Sequence, residues 1–146
     1  MTISTFRLNA TVALSFAAGA LLMNQWTRIQ QVRADSNRVF ELRVYHTLPG
    51  RLPALQSRFR DHTLDIFRKH GMTSVGYWTP QDSPASDNTL IYILAHDSRE
   101  TAKKHWAEFG QDPEWKEVSK ASEADGKIVE KVDSTFMIPS DYSPVK

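Results

Sequence analysis

Glu41, Arg43 and Tyr45 stand at alternate positions in the stretch ELRVYHTLPG. The stretch reads as a strand running into a turn. Alternate residues of a strand face opposite ways, so these three share one face while Phe40, Leu42, Val44 and His46 share the other. An arginine can hold an anionic ligand. A tyrosine beside it can donate a proton or a hydrogen bond. The plainer reading is a Glu–Arg ion pair at a sheet rim or a dimer seam. These residues are expected on the sheet face away from the helices, where a Glu and an Arg would offset the cost of burying either charge alone.

His62 is the best single candidate for a catalytic group. It falls between Phe59 and Ile66 on the apolar face of a segment patterned as a helix. A buried imidazole needs a hydrogen-bond partner, and one so held can act as a general base near neutral pH. The plainer reading is a structural histidine. His46, His70, His96 and His105 show no metal-ligand spacing, and no metal site is expected. A haem needs only one axial histidine, but no cofactor is expected. Trp78, Tyr92, Trp106 and Trp115 could line an aromatic pocket for a small apolar molecule. The plainer reading of such aromatics is core. There is no GxSxG elbow, no GxxxxGK[ST] phosphate loop and no GxGxxG turn. HDSRE looks like a triad in letters only and reads as a strand end followed by a helix cap.

These residues need elements to position them. Val39–Thr47 reads as the first strand, closed by Pro49-Gly50. Leu52, Leu55, Phe59, His62, Ile66 and His70 recur at three- and four-residue steps, one face of an amphipathic helix that stops at Gly71. MTSVGYWTP is a second strand and QDSPASDN a loop. Thr89–His96 is a third strand, apolar on both faces and so expected to be buried on both. A second helix starts near Asp97, with an Asp97/Glu100 capping box and Ser98 as rival cap. Asp112 caps a short helix with Pro113 in its first turn. Gly126 to Pro139 reads as a long last strand. The order is βαββαβ, a ferredoxin-like α+β fold with helices on one face of an antiparallel four-stranded sheet. The apolar face left open points to a homodimer in which two sheets pack face to face.

The first 38 residues form a separate segment. An apolar run over residues 10–23 follows a lone Arg7, the shape of a secretory signal or an N-terminal membrane anchor. The run is short for a bilayer span, which takes about 20 apolar residues. A mitochondrial presequence is the alternative. The protein is therefore expected to be exported or membrane-anchored. The remaining residues, 39–146, carry 14 bases against 16 acids, so no sequence-independent grip on nucleic acid is expected. The chain has no cysteine, which excludes disulfides, thiolate metal sites and a cysteine nucleophile.

FELRVYHTLPGRLPAL, KHGMTSVGYW, LIYILAHDSRETAKKHWAEF and DPEW, in this order, resemble the NIPSNAP family across nearly all of residues 39–146. The resemblance implies a dimeric α/β-barrel domain. It associates the eukaryotic members with mitochondria and with proposed roles in vesicle transport or mitochondrial quality control. The wider superfamily includes cofactor-independent monooxygenases and haem enzymes, whose activities do not transfer on fold alone. This chain differs from the mitochondrial members in its single short domain and export-like N-terminus. Three functions are therefore expected: small-ligand binding or scaffolding by a dimer, a cofactor-independent enzyme acting on a small apolar or aromatic substrate with His62 as base and Tyr45 or Arg43 as anion stabiliser, and a protein-interaction module in membrane or vesicle trafficking.

Overall fold

A computed structural model of the chain describes residues 38–146 and Met23. The apolar run 10–23, apart from Met23, lies outside the described residues. The chain divides into the units Met1–Asn37 and Arg38–Lys146, and the elements described below belong to the second.

Four antiparallel strands, β1 (Val39–Thr47), β2 (Thr73–Trp78), β3 (Thr89–His96) and β4 (Val129–Met137), form one sheet in the order β2-β3-β1-β4. The helical elements are α1 (Leu52–Arg58), α2 (Leu64–Lys69), α3 (Arg99–Gln111) and α4 (Pro113–Ser122). The order and topology are those of the expected ferredoxin-like α+β fold. The helices cover one face, where Leu90, Tyr92 and Leu94 of β3 meet Leu55, Phe59, Ile66, Phe67 and Phe109 in one buried core. On the other face Leu42 pairs with Ile93 and Val44 with Ile91, all four only partly buried. The third strand is thus apolar on both faces, as its sequence requires, but the described chain covers only one of them fully.

Two local features depart from expectation. The helix after β1 is not continuous. A π-helical turn, Phe59–Thr63, separates α1 from α2, and the amide of Leu64 bonds the carbonyl of Phe59 five residues back. Such a turn inserts one residue into the helical repeat and rotates the residues after it by about 100° relative to those before it. The cap of α3 is Ser98, whose hydroxyl accepts from the Thr101 amide at 3.1 Å, rather than the Asp97/Glu100 box. Asp112 does cap α4, accepting from the Glu114 amide at 2.8 Å ahead of Pro113. The same carboxylate takes His70 at 2.6 Å and Lys69 at 2.8 Å, so one side chain ties the end of α2 to the start of α4. α4 is longer than DPEW alone suggests, because Trp115 and Val118 repeat at helical spacing against the core.

Candidate functional site

The polar face of β1 lies beneath the helices, not on the open face where it was expected. Strand alternation sorts residues into two faces but does not say which one the helices take. The structure settles it through Glu41, which is 1% exposed. Its carboxylate accepts Trp106 Nε1 of α3 at 2.6 Å, Ser134 Oγ of β4 at 2.6 Å and Arg43 Nη1 at 3.0 Å. His96 Nε2 of β3 lies 3.5 Å away, close to the carboxylate but without hydrogen-bond geometry. Burial alone would raise this carboxyl's pKa. The nearby His96, Ser134, Trp106 and Arg43 groups outweigh burial and lower it to about 2.

Arg43 runs outward from this hub. Its guanidinium stacks on the Trp106 ring at 4.3 Å and gives Nη2 to the Tyr45 hydroxyl at 3.4 Å. Burial favours its neutral form, but Tyr45, Tyr92 and Glu41 outweigh this and keep it charged. Tyr92 is fully buried in the core and donates to the Tyr45 hydroxyl at 3.1 Å. Burial holds its own phenol pKa well above the usual value. Tyr45 therefore receives two hydrogen bonds and keeps its own proton to give. The assembly comes to the surface at Arg43, whose side chain is 18% exposed, and at Ser134.

Four of the six expected site residues, Arg43, Tyr45, Tyr92 and Trp106, thus come together. The other two do not join them. His62 is exposed, because the π-helical turn carries it off the inner face and buries Thr63 there instead, at 1% exposure. The Thr63 hydroxyl bonds the Arg58 carbonyl at 3.1 Å. Trp78 is 49% exposed and lies over Gly76, where an added Cβ would stand 2.6 Å from the indole. It instead borders a surface groove of about 290 Å³ with Phe59, Leu64, Tyr77 and Leu90. Phe59 joins the two places, lining the groove and meeting the Tyr45 ring edge-on at 5.8 Å. Sequence reasoning missed His96 and Ser134 as partners of Glu41. His96 ends an apolar strand and Ser134 sits among exposed polar residues, and neither pattern signals a bond to a distant carboxylate.

The NIPSNAP family model matches residues 40–144. The chain belongs to the NIPSNAP family. Among solved structures, a NIPSNAP family protein with unknown function from Agrobacterium tumefaciens is similar at 24% identity and a TM-score of 0.66, covering 76% of this chain and 96% of its own. An uncharacterized NIPSNAP-like domain protein from Burkholderia xenovorans is similar at 18% identity and a TM-score of 0.65, covering 75% and 90%. SnoaB, a cofactor-independent oxygenase from Streptomyces nogalater, shares the fold at 12% identity and a TM-score of 0.51, covering 74% and 98%. No curated protein matches the chain. Among the described residues, no helix of this NIPSNAP protein is long and apolar enough to cross a membrane, and no group of three or more His, Asp or Glu residues is placed to hold a metal ion.

Proposed function

We propose that this NIPSNAP domain is a homodimeric binder of a small apolar or aromatic molecule. One observation carries the reading: the groove of Phe59, Leu64, Tyr77, Trp78 and Leu90, which shares Phe59 with the Tyr45–Tyr92–Arg43 hydroxyl and guanidinium set. An aromatic-lined cleft beside a few convergent polar groups is the usual composition of a small-molecule site. The volume fits one or two rings. The partly buried Leu42, Val44, Ile91 and Ile93 on the open sheet face support the dimer. The enzymatic alternative rested on His62 as an interior base, and that imidazole stands outside the core.

The test is native mass spectrometry of the full chain purified gently from its own host. The expected result is a dimer carrying a defined extra mass. Leu64→Glu, which places a charge on the groove wall away from the open sheet face, should lose that mass and keep the dimer. Retention of the mass by Leu64→Glu would place the ligand elsewhere.

We also propose that the protein is exported or membrane-tethered through its N-terminal segment. The support is Arg7 followed by the apolar run 10–23. Fractionation of the host with intact-mass measurement tests it: a shortened chain means cleavage, and a full-length chain in the membrane fraction means an anchor. A full-length chain free in the cytosol would reject both.

A further inference from the structure

A second groove, of about 460 Å³, runs between the π-helical turn and α4 on the outer side of the helices. Its floor holds an arginine that lies over the Trp115 ring at 5.3 Å but has few hydrogen-bond partners. The Arg58 side chain is 4% exposed. It makes one hydrogen bond, from Nη1 to Ser122 Oγ at 3.3 Å, and a stretched ion pair to Glu123 Oε1 at 3.6 Å. Its Nε is buried without a partner. The Glu123 carboxylate is itself shared with the Ile128 amide at 3.3 Å. Burial lowers the Arg58 pKa, and Glu123 recovers only part of that loss. A guanidinium presents five donors in a planar fork and is satisfied by a bidentate carboxylate. This one uses little of that capacity.

The rest of the lining narrows the ligand. Ser57 and Ser122 add hydroxyls beside Arg58, and His62 faces the same groove because the π-helical turn puts it there. π-helical turns occur frequently at functional sites. The exposed carboxylates of Asp61 and Glu117 stand on the rim. A simple anion would meet these two acids on its way to the floor. A molecule with its negative end inward and a positive end outward meets complementary charge at both depths.

We propose that this groove binds a small zwitterion, its carboxylate on the Arg58 guanidinium and its ammonium between Asp61 and Glu117. Ala54 and Val118 leave room for a short apolar side chain. The site is independent of the aromatic groove and shares no lining residue with it.

The test is calorimetric titration of the full chain with L-valine, N-acetyl-L-valine and L-valinamide. L-valine should bind saturably, and each blocked analogue should bind at least about tenfold more weakly. Arg58→Met should abolish binding. Where that buried change prevents folding, Glu117→Lys at an exposed position carries the test and should weaken L-valine by about tenfold or more. Equal binding of N-acetyl-L-valine would overturn the proposal in favour of a plain anion site. Absence of saturation by L-valine up to roughly 10 mM, the edge of useful affinity, would overturn it outright, as would unchanged affinity in a folded Arg58→Met or Glu117→Lys.

Discussion

At Glu41 the chain buries a carboxylate and surrounds it with donors from β4, its own strand and α3. Glu41→Gln would turn one acceptor oxygen into an amide NH2 facing those donors. Breaking a buried charged network in this way costs about 3–5 kcal/mol, and urea unfolding at neutral pH should show it. The pH dependence gives a second readout. The folded-state pKa, about 2, lies below the ordinary value of 4.5, so the stabilisation is fully present above pH 4.5 and is lost as pH falls toward 2. Over that window the wild type should lose stability more steeply than Glu41→Gln. Some acid sensitivity remains in both, because Lys69 and His70 hold the Asp112 carboxyl below its usual range as well. Parallel pH profiles for the two proteins would mean that Glu41 is not held as a charged acceptor. Tyr45→Phe belongs to the same scale. It removes the one hydroxyl that keeps a proton to give, so it should weaken any ligand that needs that bond. The cost in stability should be about 1–3 kcal/mol, because the buried Tyr92 hydroxyl loses its acceptor. Thermal unfolding of the two proteins with and without retained ligand separates those effects.

The π-helical turn decides which side chains of the interrupted helix from Leu52 to Lys69 meet the core and which meet solvent. Its stability depends on Thr63, whose hydroxyl bonds the Arg58 carbonyl inside the protein. Thr63→Val keeps the shape and removes this buried hydroxyl bond, a loss of about 1 kcal/mol that chemical denaturation should detect. A variant as stable as the wild type would mean that the hydroxyl bond adds nothing to the turn. The turn also explains what the sequence could and could not tell. Strands β1 and β3 were legible because alternation and apolar content mark them directly, and so was the βαββαβ order. The Pro113 start and Asp112 cap of α4 were legible from local chemistry. The inserted residue was not, because Phe59–Thr63 carries no glycine or proline to mark a break in the repeat. A strict three- and four-residue reading therefore carried His62 inward in error. Arg58 is buried as well, three residues after the buried Leu55. The face taken by Glu41, Arg43 and Tyr45 was not legible either, since their burial depends on donors from α3 and β4 that are distant in sequence.

Across the whole domain the largest unmatched feature is the open face of the sheet. Leu42, Val44, Ile91 and Ile93 form a cross-strand patch at its centre, with Val75 41% exposed beside them. At one end of the patch the chemistry changes: Asp133 holds His46 at 3.2 Å and Lys131 at 2.8 Å. An apolar centre with a charged rim is the anatomy of a protein interface. An isologous two-fold contact would place each protomer's patch on the same patch of its partner. Ile93→Lys tests this directly, because a two-fold axis doubles every substitution and would set two buried charges close together. The variant should be monomeric by native mass spectrometry while its far-UV circular dichroism stays unchanged, since Ile93 faces away from the helix-side core. Its unfolding temperature should also stop rising with protein concentration, as mass action requires once the dimer is gone. An Ile93→Lys protein that remains dimeric would move the interface off the sheet. A wild type that is monomeric at micromolar concentration would leave the open face as a surface for another partner and would remove the dimer from the proposed function.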